Sequence, residues 1–251
     1  MAVTSRGEGW RLRILRTLQW VVAALALSAC AENANHLQTH YLDMYATPNP
    51  TLAEFNVCHG FGCAEIAQVS LTPAEWQRVA AAFKPRAKDA AAERRQIARG
   101  VALIQQMVAS RAGIAEHQWT HKNMLILPNL SDPTQLDCVD EAVNTWTYTT
   151  LMEKNGLFHF NRVAHLSNAG GLTDPFMRNT AVLQETDGGA YYAIDASLVD
   201  NGAPPVIMPL TTWLGSWPPD PSVLNANAEV PASPAAKPAK PGAKTGAKAR
   251  G

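Results

Sequence analysis

The N-terminal segment constrains this chain most, because it indicates that the rest of the chain folds outside the cytoplasm. Four arginines precede an apolar run over residues 18–29, and small residues close that run. A basic start, an apolar stretch and a small-residue end are typical of a secretory signal. The run has about 12 residues, fewer than the ~20 that a membrane-spanning helix needs. The sequence therefore predicts export to an oxidising compartment, where cysteines can pair.

Residues 27–30 (LSAC) resemble the lipobox of bacterial lipoproteins. In a lipobox the cysteine is acylated and becomes the first residue of the mature chain. We therefore expect residues 1–29 to be a lipoprotein signal peptide and Cys30 to carry a lipid that anchors the protein to a membrane. Ala31 follows the cysteine, which by resemblance to the bacterial sorting rule favours the outer membrane, facing the periplasm. The alternatives are a secreted or periplasmic protein with an ordinary cleaved signal, and an uncleaved anchor.

The chain has three cysteines besides Cys30. Cys58 and Cys63 flank a short glycine-rich loop (CHGFGC), and an oxidising compartment favours a disulfide between them. A metal site in this loop would have only two thiols and His59, so we predict neither a metal nor a cofactor, although metal binding and free thiols stay open as alternatives. Cys138 is left unpaired, which marks it as a candidate reactive thiol.

Charge and composition divide the chain into four segments. Residues 30–51 form a linker, residues 52–222 provide one domain's worth of chain, and residues 223–251 form a tail rich in Ala, Pro and Lys. The tail has no aromatic residue and is expected to be disordered. Residues 30–224 carry 12 basic and 19 acidic residues, which excludes the basic patch that nucleic-acid binding requires.

Hydrophobic spacing and turn residues predict helices followed by strands. The helices span residues 72–83, 89–112 and 138–154, and the strands span residues 157–165, 181–185 and 191–195. Residues 72–75 (TPAE) are a strong helix start, and residues 187–189 (DGG) are typical of a hairpin turn. Residues 204–217 are expected to form a packed extended segment. Helices before strands predict an α+β domain, with helices packed on an antiparallel sheet.

Cys138 opens the third predicted helix, where free backbone N–H groups and the helix dipole favour a thiolate. Residues 137–140 (DCVD), 180–183 (TAVL) and 192–195 (YAID) resemble, in this order, the motifs of bacterial transglutaminase-like cysteine proteinases. The resemblance covers residues 130–215 and implies a transglutaminase-like or papain-like fold with Cys138 as nucleophile. Residues 58–217 also resemble a family of alphaproteobacterial envelope proteins, a likeness that implies no activity.

The sequence departs from the proteinase family at its catalytic base. The resemblance aligns Thr180 with the catalytic histidine and Asp195 with the residue that orients it. A hydroxyl cannot act as a general base near neutral pH. The domain has five histidines that could substitute, namely His59, His117, His121, His159 and His165. Among them His165 is preferred, because it lies at the end of a strand that could approach the helix start. Gln135 could donate to an oxyanion.

Two functions follow as expectations. The first is a non-catalytic module that binds a peptide, an envelope protein or the cell wall in a degenerate cleft. The second is an active cysteine peptidase or amidase that attacks envelope proteins or peptidoglycan peptides through Cys138. An unpaired cysteine is also often an inert, space-filling residue. Whether a histidine lies within hydrogen-bond reach of the Cys138 thiol discriminates between the two functions.

Overall fold

The computed structural model describes residues 44–114, 132–170 and 177–215. The predicted signal peptide, the predicted lipidation site Cys30, most of the predicted linker and the predicted tail therefore lie outside the described residues. His117 and His121 lie outside them as well. Within the described part of the chain, no helix is both long and apolar enough to cross a membrane.

Helices and strands follow one another in a mixed order. The elements are β1 (Phe55–His59), β2 (Glu65–Val69), α1 (Pro73–Ala81), α2 (Ala90–Val108), α3 (Cys138–Lys154), β3 (Asn161–Ala169), β4 (Arg178–Glu185), β5 (Tyr191–Asp195), β6 (Val206–Pro209) and α4 (Leu210–Trp213). β1 and β2 form an antiparallel hairpin, and the other strands form an antiparallel sheet in the order β3-β4-β5-β6. The predicted α+β class is confirmed.

Side-chain caps set the starts of the long helices. Thr72 caps α1 in a capping box with Glu75, as the sequence predicted. Asp89 accepts a hydrogen bond from the backbone N–H of Ala92 and so begins α2. Asp137 caps α3 in the same reciprocal way, with Asp140 as its partner. The capping box of Asp137 and Asp140 therefore fixes Cys138 as the first residue of α3.

The strand predictions need three corrections. The predicted strand 157–165 begins later and ends later, at Asn161–Ala169. Glu93 of α2 accepts the backbone N–H groups of residues 159–161. Because these N–H groups do not donate to a neighbouring strand, β3 begins only at Asn161. The hairpin β1–β2 was missed, and the segment 204–217 contains a strand and a short helix rather than only extended chain.

α3 lies at the centre of the domain. It packs against β3 and β4 on one side and against β1 and α2 on others. Gly100 lets α2 and α3 approach closely, because a Cβ there would lie 2.4 Å from the Met152 sulfur. The main core combines these helices with the face of the sheet that carries Ala181, Leu183 and Ile194.

The opposite face of the sheet has a smaller core of its own. This second core consists of Ala193, Val206, Met208 and Trp213. Because side chains alternate along a strand, neighbours of the α3-facing residues point to this second core. The alternation determines which residues of β4 and β5 can reach Cys138.

Candidate functional site

The cysteine loop between β1 and β2 is built onto the start of α3. Cys58 and Cys63 form the predicted disulfide, which is confirmed. The backbone N–H groups of Phe61 and Cys63 donate to the Asp140 carboxylate at 3.0 and 2.6 Å. Asn144, one turn further along α3, exchanges two hydrogen bonds with the Cys58 backbone, at 2.7 and 2.8 Å. The disulfide loop and the helix start are thus a single unit.

The same loop also holds the chain that leads into α3. The backbone N–H of Gly60 donates to the Gln135 carbonyl at 2.8 Å, and a ring nitrogen of His59 lies 2.5 Å from the Pro133 carbonyl oxygen. Gln135 is buried, and its backbone ties the pre-helix chain to the loop. The His59 ring therefore helps to hold the chain just before Cys138 in place.

The Cys138 thiol contacts β4. The side-chain amide of Asn179 donates to the sulfur at 3.5 Å, and the sulfur lies 3.9 Å from the Met177 carbonyl oxygen. A cleft beside the thiol is lined by α3 and by β3 and β4, including Asn168 and Asn179, with a volume of about 10 Å³. That volume holds roughly one water molecule. The thiol itself is half-buried.

The surroundings of Cys138 disfavour its thiolate. Burial raises the pKa of Cys138 to about 11, and the negative charges of Asp137 and Asp195 add to this effect. The hydrogen bond from Asn179 lowers the pKa but does not compensate. Catalytic thiols have pKa values of roughly 3.5–7.5. The helix start alone therefore does not activate this cysteine.

Buried carboxyl groups surround the first turn of α3. Burial raises the pKa of Asp140 to about 7 and that of Glu141 to about 8, and each is raised further by a neighbouring carboxylate. The side-chain amide of Gln105, on α2, donates to Glu141 at 2.9 Å. A negative charge on one of these carboxyl groups disfavours ionisation of the others and of the Cys138 thiol. The start of α3 therefore favours protonated carboxyl groups and a protonated thiol.

Thr180 does not face Cys138. Asn179 reaches the thiol from the α3-facing side of β4, and Ala181 packs in the main core on that same side. Alternation therefore places the Thr180 side chain on the opposite face of the sheet. Thr180 is buried there, and its hydroxyl donates to the carbonyl of Ala181 at 3.1 Å. Asn179, which the sequence analysis did not single out, occupies the position beside the sulfur.

Asp195 also belongs to the opposite face. Its carboxylate accepts a hydrogen bond from the Trp213 indole at 2.8 Å and two from Ser197, at 3.0 Å from the backbone N–H and 2.7 Å from the hydroxyl. These bonds fix the end of β5 and the buried indole of α4. Asp195 therefore has a structural role at the end of β5. It makes no hydrogen bond to Cys138.

The described histidines make no hydrogen bond to the thiol. His165 packs its ring against Tyr191, with ring centroids 5.7 Å apart, and burial lowers its pKa. The backbone N–H of His159 donates to Glu93, and His59 contacts Pro133.

One group in the described residues has metal-ligand chemistry. It comprises Cys58, Cys63 and Asp140, whose ligand atoms lie within 4.8 Å of one another. The two sulfurs are joined to each other, and the carboxylate accepts backbone N–H groups. The disulfide form therefore does not offer thiolates to a metal ion.

No protein-family model, curated protein or solved structure matches this chain.

Proposed function

We propose that this protein is a periplasm-facing outer-membrane lipoprotein whose domain has a degenerate transglutaminase-like site. In this proposal the domain is a non-catalytic module that binds a peptide, an envelope protein or the cell wall, and the lipid on Cys30 supplies the membrane anchor. The anchoring part rests on the sequence of residues 1–31. The binding part rests on the contacts of Cys138.

The main support is the identity of the group beside the sulfur. A cysteine at a helix start, packed on an antiparallel sheet, is the arrangement that papain-like enzymes use. In such enzymes a histidine accepts the thiol proton, whereas here the amide of Asn179 donates to the sulfur. An amide has no titration near neutral pH and cannot act as a general base. A pKa of about 11 for Cys138 is consistent with a site that does not form a nucleophile.

One exposed apolar side chain near the thiol supports binding. Met177, whose carbonyl oxygen lies 3.9 Å from the Cys138 sulfur, is 67% exposed. A large exposed apolar side chain beside a cleft can contact a bound molecule. We assign Met177 to the rim of the binding cleft.

The second candidate is an active cysteine peptidase or amidase. It is favoured by one observation, that Cys138 is a half-buried thiol in the first position of α3, where a substrate carbonyl could approach it. It requires a base that the described contacts of the thiol do not supply.

Asn179→His is expected to lower the apparent pKa of Cys138 by at least about 2 units, because an imidazolium beside the sulfur favours the thiolate. The measurement is the rate of alkylation as a function of pH, with mass spectrometry locating the label. Thr180→His is the matched control, since the same side chain one residue on points to the other face of β4.

A folded Asn179→His variant with unchanged reactivity would contradict the assignment of Asn179 to the base position. An equal drop in the pKa with Thr180→His would show that Thr180, as the sequence alignment suggests, is the residue that faces the thiol. Thermal unfolding of both variants establishes that each is folded.

A further inference from the structure

A second groove lies between α2 and β6, and shares no lining residue with the cleft at Cys138. It has a volume of about 180 Å³ and is lined by Ala91, Arg94, Arg95, Ala98, Tyr192, Pro204, Pro205, Ile207, Met208 and Pro209. A protein cavity of about 150 Å³ can hold benzene. The groove therefore has room for one medium-sized apolar side chain together with a polar group.

Arg94 is a buried cation with unused donors at this groove. The residue is only 9% exposed, and its guanidinium lies 3.5 Å from the ring centroid of Tyr192. One terminal nitrogen, Nη1, donates to Glu185 at 2.5 Å and to Asn161 at 3.3 Å. Within the described residues Nε and Nη2 donate to no acceptor. A guanidinium fixed in this way can present the N–H groups of Nε and Nη2 to an oxyanion without losing further side-chain entropy.

Arg95 supplies the net charge of the groove. Its side chain is exposed, and it forms no ion pair with any described residue. Glu185 neutralises Arg94, so the two arginines and this glutamate leave one positive charge. One charge suits a monoanion such as a carboxylate better than a dianion, which Glu185 would repel.

The apolar side of the groove favours a peptide over a hydrophilic anion. Tyr192, Ile207 and the prolines form a surface that an aliphatic or aromatic side chain can cover. The lining residues 207–209 belong to β6, which among the described strands pairs only with β5 and is the last strand of the sheet. A chain that continues from the bound residue can therefore run along this edge.

We propose that the groove binds the C-terminal residue of a peptide. The terminal carboxylate accepts hydrogen bonds from Arg94 and Arg95, and the apolar side chain of that residue packs against Tyr192 and Ile207. This site goes beyond the cleft at Cys138 and does not depend on the function assigned to that cleft.

Isothermal titration calorimetry on the full-length chain tests the proposal with the peptide acetyl-Ala-Ala-Ala-Leu. The peptide with a free carboxylate is expected to bind at least about tenfold more tightly than its C-terminal amide, because a charged carboxylate accepts stronger hydrogen bonds from the two guanidinium groups than a neutral amide does. Arg95→Gln is expected to weaken binding of the free acid by about tenfold or more. Arg78→Gln is the matched control, since Arg78 is exposed on α1 and does not line the groove.

Three results would overturn the proposal. The first is equal affinity for the acid and the amide, or no binding of either at millimolar concentration. The second is an Arg95→Gln variant that binds the acid as tightly as the unsubstituted protein. The third is acetyl-leucine bound as tightly as the peptide, which would assign the groove to a small free acid. None of these results bears on the reactivity of Cys138, so the two proposals can fail independently.

Discussion

Replacing Glu93 by alanine is expected to destabilise the domain by about 4 kcal/mol, a large part of the roughly 5–15 kcal/mol that stabilises a typical domain. The Glu93 side chain is 1% exposed and lies in the first turn of α2. Its carboxylate accepts the backbone N–H groups of His159, Phe160 and Asn161 and the side-chain amide of Asn161, at 2.7–2.9 Å. Alanine would remove this acceptor from four donors, of which the backbone N–H of Asn161 is buried and those of His159 and Phe160 are part-buried. Each donor that stays buried and unsatisfied costs about 1–3 kcal/mol.

Urea unfolding at pH 7 measures this effect. Glu65→Ala is the control, because Glu65 is an exposed residue of β2 and its loss should change the free energy of unfolding by no more than about 0.5 kcal/mol. A loss of less than about 1 kcal/mol for Glu93→Ala would mean that water replaces the carboxylate, and that Glu93 does not fix the start of β3.

Glu141→Gln is expected to stabilise the domain at pH 8 by about 2–4 kcal/mol and to have little effect at pH 4.5. Burial raises the pKa of Glu141 to about 8 in the folded state, from an ordinary value of 4.5. Between these two values the folded state binds the proton that the unfolded state releases. The stability that neutral Glu141 provides is therefore complete below pH 4.5 and is lost as the pH rises towards 8.

The readout is the difference in unfolding free energy between the variant and the unsubstituted protein, measured from pH 4.5 to 8.5. Comparing the two proteins removes the effect of His165 on the unfolding free energy. Burial lowers the pKa of His165, so His165 makes the domain less stable as the pH falls below its ordinary pKa of 6.5, whereas Glu141 makes it less stable as the pH rises. Glutamine retains an oxygen that can accept the hydrogen bond from Gln105. A pH-independent difference would contradict the neutral state of Glu141. Glu65→Gln, at an exposed position, should show no such pH dependence.

The helices could be predicted from the sequence because their starts are determined locally. The capping boxes at Thr72 and Asp137 and the cap at Asp89 involve residues no more than three positions apart. The third predicted helix has the observed bounds, Cys138–Lys154. The strand limits were less accurate, since they depend on distant partners. β3 begins where it does because of Glu93, which lies 66–68 residues earlier in the chain.

The disulfide could be predicted from compartment and spacing, but its role could not. The loop it closes is held by Asp140 and Asn144, which lie on a helix 77–86 residues away. In the sequence these acidic and amide residues look like ordinary polar positions of a helix start. The hairpin β1–β2 was missed for a related reason. The glycine-rich segment CHGFGC suggested a loop, whereas Cys58 is the fourth residue of a strand.

The faces of β4 could not be predicted from hydrophobicity. Residues 181–183 are all apolar and buried, because the sheet has a core on each side. A strand buried on both faces shows no alternation from which to choose the residue that faces α3. The sequence therefore aligned Thr180 with the base, whereas the contacts of the thiol go to Asn179. A motif match fixes the strand but not which of two adjacent residues faces the cysteine.

The central property that we infer for this protein is that Cys138 is not an activated nucleophile. The direct measurement is the pH dependence of its alkylation by iodoacetamide in the full-length chain with the Cys58–Cys63 disulfide intact, with mass spectrometry locating the label. We predict an apparent pKa well above the ordinary ~8.5 of a thiol, approaching the value of about 11 to which burial raises the pKa of Cys138. An apparent pKa between roughly 3.5 and 7.5 would contradict it and would support a cysteine peptidase or amidase.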